Sequence, residues 1–238
     1  MIIKDLKIFS QNICKNYLLI ETILENNKNF DILFIQELPW LVIKSIPSTT
    51  SVEGDEVVSM PFYPFWITIA KYSNNYYAHS RDLTYINSKL ISSCFSLRKD
   101  IYNHKDINLV SFIFFLLNVY SNNHQTALKY LKNTEVKLNN VIIMMGNFNI
   151  RDSDWDPSYP YHLIHADNLL EIAYLLNLEQ SLPITLVPTR YIDNLSNSKS
   201  IIDLIFLRGY SEEFNSNLIF SDIRDLSDHV PLIINIAI

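Results

Sequence analysis

Apolar segments of strand length recur along the chain, and they end abruptly at polar residues. Phe30 to Ile35 is followed directly by Gln36 and Glu37, and Val141 to Gly146 is followed by Asn147. Nearly continuous apolar runs of this length are typical of strands that are buried on both faces. Because α/β folds place their sites where strands end, the pattern predicts a sheet protein with functional groups along one sheet edge.

Helical periodicity separates several of these runs. We predict helices over residues 17–27, 125–136 and 167–178. Strands are predicted over residues 7–12, 30–37, 66–72, 83–87, 91–97, 107–120, 141–146, 200–207 and 230–238, and residues 44–61 are predicted to form a loop. The chain has 238 residues, 48% of them hydrophobic, and shows no repeat or linker, so we expect a single domain over residues 1–238 with layered sheets and helices outside.

Several classes of protein are excluded by composition. Three glycines leave no room for the glycine-rich loops that cradle nucleotide phosphates. The longest apolar run, residues 110–120, is short of the roughly 20 residues that cross a membrane. The amino terminus lacks the apolar core of a signal peptide, so an intracellular location, cytoplasmic or nuclear, is expected. Cys14 and Cys94 have neither zinc-site nor disulfide spacing and are interpreted as reduced core thiols.

The formal net charge of −6 opposes tight binding of nucleic acid, since phosphate neutralisation by basic side chains supplies most non-specific affinity. A DNA-binding surface would have to be assembled locally. The basic residues that could contribute to it are Lys71, Arg81, Arg98, Lys99, Arg151 and Arg190.

Asp203 and His229 form the first candidate pair. Asp203 lies within the apolar run 201–206, where an ionised carboxylate needs a cation or a hydrogen-bond donor. His229 follows Asp228 and precedes an apolar strand. A carboxylate that orients one imidazole nitrogen leaves the other free for acid–base chemistry. Turn-forming acids and a structural histidine are the alternative interpretation of these residues.

Glu37, Asp228 and the side-chain amide of Asn12 offer hard oxygen ligands. Such ligands suit Mg²⁺ or Mn²⁺ rather than zinc. A hard metal ion, a His/Asp pair and asparagine donors are the functional groups that hydrolysis of a phosphodiester requires.

Seven segments in order resemble the endonuclease/exonuclease/phosphatase superfamily. The segment at 146–149 is followed by Trp155 and Pro157, and with the segments at 188–190 and 200–206 it resembles the non-LTR (LINE-like) retrotransposon endonuclease branch. The segments are SQN at 10–12, IQE at 35–37, NVYS at 118–121, GNFN at 146–149, PTR at 188–190, SIIDLIF at 200–206 and SDHVP at 227–231.

The resemblance implies an α/β four-layer sandwich, with two mixed, mostly antiparallel β-sheets face to face and helices on the outer sides. It implies Glu37 as the principal Mg²⁺ ligand, with Asn12 and Asp228 nearby. The remaining implied roles belong to residues that contact or support the phosphate: Tyr120 and Asn149 on its oxygens, His229 oriented by Asp203, and Thr189, Arg190 and Ser227 lining the substrate side.

Asn147 departs from the family pattern, which has aspartate at this position. In the family that aspartate is thought to orient and deprotonate the attacking water, and an amide oxygen is essentially non-basic. Loss of a general base costs roughly 10²–10⁴-fold in rate. A relict, an engineered trap and a site in which the metal ion activates the water are all open interpretations. Asp152, Asp154 and Asp156 are interpreted as loop acids rather than substitute bases.

Three functions compete at this point. The leading one is an Mg²⁺-dependent endonuclease that nicks DNA, leaves a 3′-hydroxyl, and is associated with a reverse transcriptase domain outside this chain. The second is a catalytically inactive remnant that binds DNA or protein. The third is a phosphatase for a small phosphoester or lipid headgroup.

Overall fold

The fold is described by a computed structural model, which covers residues 5–39, 44–47, 55–58, 63–70, 80–90, 95–134, 138, 140–181, 188–191, 199–208 and 227–237. Three helices lie in this part of the chain: α1 (Tyr17–Asn26), α2 (Thr126–Asn133) and α3 (Ile164–Leu175). The strands are β1 (Asp5–Asn12), β2 (Ile32–Gln36), β3 (Lys44–Pro47), β4 (Asp55–Val58), β5 (Trp66–Ile69), β6 (Asp82–Asn87), β7 (Ser96–Leu97), β8 (Ile107–Ser111), β9 (Phe115–Tyr120), β10 (Val141–Asn147), β11 (Leu178–Gln180), β12 (Arg190–Tyr191), β13 (Lys199–Ser200), β14 (Asp203–Arg208) and β15 (Leu232–Ala237).

Two mixed sheets form the centre of the molecule. The first has the strand order β15-β1-β2-β6-β5, and the second has the order β11-β14-β10-β9-β8-β7. In the first sheet only β1 and β2 are parallel, with α1 as their crossover; in the second only β9 and β10 are parallel, with α2 as theirs. Every other pair within the two sheets is antiparallel.

Three hydrophobic clusters separate four layers. The cluster between the sheets contains Ile8 and Phe34 from one sheet and Leu116 and Ile143 from the other. A second cluster packs α1 against the outer face of the first sheet, and a third packs α2 and α3 against the outer face of the second. This architecture confirms the predicted sandwich of two face-to-face sheets with helices outside. Among the described residues, no helix is long and apolar enough to span a membrane.

The helix α1 forms because its start and its buried face are both encoded locally. The Asn16 side chain accepts a hydrogen bond from the Leu19 N–H at 3.3 Å, which caps the first turn. Leu19, Ile20, Ile23 and Leu24 are buried on one face, as their spacing predicts.

Four of the predicted elements differ in the structure. Residues 107–120 form the hairpin β8–β9 rather than one strand. The sequence did not indicate the turn, because its residues Phe112 and Phe114 are apolar and pack against the core. The predicted loop 44–61 contains the paired strands β3 and β4. The helix predicted over residues 167–178 spans Ile164–Leu175 instead, and residues 178–180 form strand β11. In the predicted strand 200–207, Ile201 and Ile202 separate β13 from β14. Parts of the predicted strands 66–72, 91–97 and 230–238 and of the helix 125–136 lie outside the described residues.

The parallel pairs bring the carboxyl ends of four strands to one edge of the molecule. The Gln36 side chain joins the sheets there, because its Nε2 donates to Ser10 Oγ at 3.0 Å and to Asn118 Oδ1 at 2.7 Å. Gly146 allows β10 to reach this edge beside β9. Its φ is +150°, and a Cβ at this position would lie 2.0 Å from the Val119 carbonyl oxygen.

Candidate active site

Asn12 and Glu37 lie where β1 and β2 end. Asn12 Nδ2 donates to Glu37 Oε2 at 3.1 Å, and the Cys14 N–H donates to Asn12 Oδ1 at 2.9 Å. Glu37 has the left-handed φ of 55°, which is uncommon for a residue with a side chain. The Lys15 ammonium is 3.8 Å from Glu37 Oε1, and the Glu37 side chain is 23% exposed. A carboxylate is therefore held at the sheet edge with access to solvent.

The segment Ser227–His229 is hydrogen-bonded to the same edge. Ser227 Oγ donates to the Asn12 carbonyl at 2.8 Å and accepts from the His229 N–H at 3.0 Å. Gln11 Nε2 donates to the His229 carbonyl at 3.1 Å. Residues from opposite ends of the sequence thus lie side by side at this edge.

Asp203 and His229 form a buried pair. Their Oδ2 and Nδ1 atoms are 2.8 Å apart, and the His229 side chain is 3% exposed. Burial alone lowers the pKa of His229, but the Asp203 carboxylate and Cys14 outweigh it and raise the pKa to about 10. The imidazole is therefore protonated at neutral pH, with Nδ1 directed to Asp203 and Nε2 on the side of Asp228.

Asn147 is hydrogen-bonded to the other carboxylate oxygen of Asp203. Its Nδ2 donates to Asp203 Oδ1 at 2.8 Å, and its own Oδ1 accepts from Asn149 Nδ2. Asn149 also donates to the Ser121 carbonyl at 2.8 Å and has a left-handed φ of 52°. The result is a continuous polar chain from Asn149 through Asn147 and Asp203 to His229.

Thr189 supports this series of polar side chains through the backbone next to Asp203. Its buried hydroxyl oxygen accepts the N–H groups of Ile202 and Asp203, each at 3.0 Å. These bonds position the start of β14, where Asp203 lies. The Thr189 hydroxyl therefore supports the backbone that carries Asp203, and its assignment to the substrate side stays a prediction.

Tyr120 ends β9 at the same edge. Burial raises the pKa of Tyr120 to about 12, and the Glu37 carboxylate adds to the effect, so the phenol keeps its proton. The Arg81 guanidinium lies over its ring, 4.7 Å from the centroid, and is fixed by the buried carboxylate of Asp106, with Nε 2.6 Å from Oδ1. Tyr120 is thus held between the two sheets.

Asp228 is bound from two sides. Cys14 Sγ donates to its Oδ1 at 2.6 Å and Arg190 Nε donates to its Oδ2 at 2.8 Å. Burial alone raises the pKa of Asp228, but these two bonds hold the pKa below its usual range. The interpretation of Cys14 as a core thiol is wrong, because the residue is partly exposed at the site edge. Cys94 lies outside the described residues.

Most of the candidate DNA-contacting cations already have acidic partners. Arg81 binds Asp106, Arg98 binds Asp100, Arg151 binds Asp156 and Arg190 binds Asp228. Lys99 is exposed, and Lys71 lies outside the described residues.

The acids after β10 are structural. Asp152 accepts the Leu163 N–H at 2.7 Å and lies 3.0 Å from His162 Nδ1, while Asp156 accepts the Ile201 N–H at 3.2 Å. Asp152 and Asp156 therefore hold their loop together, as predicted.

The residues at the edge fit a hard divalent cation. Within the described residues, the Glu37 carboxylate accepts one side-chain hydrogen bond, from the neutral amide of Asn12, and the Lys15 ammonium lies 3.8 Å from its Oε1. A carboxylate so placed retains lone pairs and negative charge for Mg²⁺ or Mn²⁺. Glu37 is the best-placed ligand, with Asn12 and Asp228 as contributors whose oxygens are already hydrogen-bonded.

Sequence reasoning missed three residues at this edge. Cys14 was assigned to the core, Arg81 was considered only as a DNA contact, and Asp106 was not singled out. A partial signal existed for Cys14, since it follows the polar end of β1 by two residues.

The four-layer fold is shared with solved structures that include an endonuclease/exonuclease/phosphatase family protein from Leptotrichia buccalis, at 15% identity and a TM-score of 0.53. No family model and no curated protein matches the amino-acid sequence.

Individual solved structures match over nearly the whole chain. The endonuclease domain of TRAS1, a telomere-specific non-LTR retrotransposon, has a TM-score of 0.63 and 16% identity, covering 98% of each chain. The AP endonuclease LMAP from Leishmania major has a TM-score of 0.66 and 11% identity, covering 99% of this chain and 88% of its own. The 3′ phosphatase NExo from Neisseria, bound to a product DNA hairpin, has a TM-score of 0.61 and 14% identity, covering 98% and 100%.

Proposed function

We propose that the chain is an Mg²⁺-dependent phosphodiesterase that nicks DNA and leaves a 3′-hydroxyl, with turnover limited by Asn147. The observation that carries this proposal is the convergence of Glu37 with the buried Asp203–His229 pair at one sheet edge. That edge resembles the site implied by the sequence motifs, and the structural neighbours include nucleases by name. An intracellular location, a reverse transcriptase domain outside the chain, and DNA as the substrate all belong to the proposal.

The side chains have separable tasks. The His229 imidazolium has one free proton, on Nε2, with which it either binds a non-bridging oxygen of the scissile phosphate or protonates the leaving 3′-oxygen, while Asp203 keeps its ring oriented. Tyr120 donates a hydrogen bond to another phosphate oxygen, and Arg190 and Ser227 line the substrate side. Asn149 can contact the phosphate only by giving up one of its two present acceptors, the Ser121 carbonyl or Asn147 Oδ1. When bound at Glu37, Asn12 and Asp228, Mg²⁺ or Mn²⁺ would offset the charge that develops on the phosphate.

Asn147 is the residue that limits the proposed hydrolysis. Its amide nitrogen is committed to Asp203 and its oxygen accepts from Asn149, so neither atom can take a proton from water. We therefore expect the rate of nicking to be roughly 10²–10⁴-fold below that of a site with a general base.

A plasmid assay tests the proposal. Supercoiled plasmid incubated with the chain and Mg²⁺ should be nicked slowly, the nick should be extendable by a DNA polymerase, and Glu37→Gln should remove the activity. Glu171→Gln is the matched control, because Glu171 is exposed on α3 and pairs with Lys132. Nicking that survives Glu37→Gln or chelation of the metal would refute the proposal.

A binding remnant without turnover is the second candidate, favoured by Asn147 and by the net charge of −6. Binding to a DNA duplex should then weaken steeply between low and moderate salt without any cleavage. Affinity that does not respond to salt would exclude DNA and favour a protein partner.

A further inference from the structure

Cys14, Asp228 and His229 form a cluster whose ligand atoms all lie within 4.8 Å of one another. Cys14 Sγ is 2.6 Å from Asp228 Oδ1, and His229 Nε2 is 3.7 Å from that same oxygen. Two ligand atoms bound to one tetrahedral zinc ion are separated by roughly 3.3–3.7 Å. The imidazole and the carboxylate already have this spacing, and the thiol must move away from Asp228 by about 1 Å.

The groups behind these ligands are those that orient a zinc site. Asp203 Oδ2 holds His229 Nδ1 at 2.8 Å, which leaves Nε2 as the ligand atom. Arg190 holds Asp228 Oδ2, which leaves Oδ1 on the side of the thiol. Carboxylate–histidine contacts of this kind fix ring orientation in metal sites and raise ligand basicity.

We propose that Cys14, Asp228 and His229 bind a Zn²⁺ ion and leave its fourth coordination position open to a ligand from outside the chain. Three protein ligands drawn from thiolate, imidazole and carboxylate are typical of zinc sites that keep one position open. A thiolate is a soft ligand that Mg²⁺ does not favour, so the site is distinct in chemistry from the oxygen ligands around Glu37. It shares Asp228 with them and occupies His229 Nε2, so bound Zn²⁺ would block the role proposed for the His229 imidazolium and inhibit nicking. Zinc binding itself does not depend on the chain having nuclease activity.

The sequence gave no indication of this zinc site, because its ligands are not close together in the sequence: Cys14 and Asp228 are 214 residues apart. Zinc uptake must displace the thiol proton and the proton on His229 Nε2. Binding therefore releases protons to the solvent.

Cobalt substitution in the full chain tests this site, since a thiolate bound to Co²⁺ gives a near-ultraviolet charge-transfer band. The reduced chain should show the band, and Zn²⁺ should abolish it by displacement while excess Mg²⁺ should not. Cys14→Ser should lack the band, and Cys94→Ser, the matched control, should retain it.

A second pair of variants separates this site from the proposed Mg²⁺ site. Asp203→Asn should keep the cobalt band and weaken Zn²⁺ by about 10–100-fold in competition with a chromogenic chelator, because the histidine loses its orienting charge. Glu37→Gln should leave Zn²⁺ affinity unchanged whether or not nicking is ever observed. Absence of the band in the wild-type chain, or its survival in Cys14→Ser that retains a native near-ultraviolet dichroism spectrum, would overturn the zinc site.

Discussion

The unit β1–α1–β2 and the unit β9–α2–β10 each place a parallel strand pair inside a sheet, with a helix on its outer face. Their carboxyl ends meet at the site and carry different chemistry. The first unit ends in Glu37, a carboxylate with few partners, and the second ends in Asn147 and Asn149, two amides bound to each other. Similar backbone construction therefore ends in a partly exposed carboxylate in one half and in two hydrogen-bonded amides in the other.

The two ends also share a backbone feature. Glu37 and Asn149 both have left-handed φ values, 55° and 52°, just beyond their strands. Such conformations cost of order 1–3 kcal/mol for residues with a side chain and persist where the surroundings enforce them. The geometry of both halves is thus maintained, although one of them lacks the group for proton abstraction.

The largest expected effect is at Gly146, in β10 of the second unit. Gly146→Ala should lower the free energy of unfolding by about 4 kcal/mol or more, because the new methyl group would meet the Val119 carbonyl and the φ is positive. Urea unfolding measures this change. Met145→Leu on the same strand is the control and should cost under about 1.5 kcal/mol. A Gly146→Ala protein as stable as the control would show that the strands are not so close.

His229 should contribute the next largest effect. His229→Gln removes the imidazolium from the buried Asp203 carboxylate and should cost about 3 kcal/mol near pH 6. Since the folded pKa of about 10 lies above the unfolded value of 6.5, this stabilisation is present below pH 6.5 and is lost as pH rises towards 10.

Unfolding measured at several pH values checks this difference, and the curves of the wild type and His229→Gln should converge with rising pH. His124→Gln, at an exposed histidine, is the control. A constant gap between the His229→Gln and wild-type curves would contradict the charged pair.

Asn147→Asp should destabilise the second unit by about 2 kcal/mol at pH 8, because the new carboxylate would lie beside Asp203 Oδ1, where the amide nitrogen is now 2.8 Å away. Repulsion raises the pKa of the carboxyl pair, so the loss of stability should shrink as pH falls to 5. Asn123→Asp, at an exposed position, should show no such dependence. An equal response of the two variants would contradict the contact.

The smallest effect concerns the helix starts. Asn16 Oδ1 accepts from Leu19 N–H in the first unit, and Asn122 Oδ1 accepts from Thr126 N–H at 3.2 Å in the second. Asn16→Ala should cost about 1 kcal/mol in urea unfolding and Asn16→Asp should cost little. Asn122→Ala should cost less than Asn16→Ala, because Gln125 and not Asn122 is the N-cap residue of α2. Equal stability of Asn16→Ala and Asn16→Asp would show that the cap is not used.

The sequence was informative where local pattern and burial coincide. The apolar runs predicted the two sheets, and Asp203 in an apolar segment predicted a partner that proved to be His229. The hairpin break at Phe112–Phe114 was not predicted, because an apolar turn has no turn signal. The contacts of Cys14 with Asp228 and of Arg81 with Tyr120 depend on packing between distant segments, which periodicity does not encode.

The plasmid-nicking rate of Asn147→Asp relative to the wild type tests the central claim, which is that the second unit lacks only a base. With Mg²⁺ at pH 8, the variant should nick roughly 10²–10⁴-fold faster than the wild type. The gain should disappear in the double variant with Glu37→Gln. A folded Asn147→Asp protein that nicks no faster than the wild type would contradict the claim.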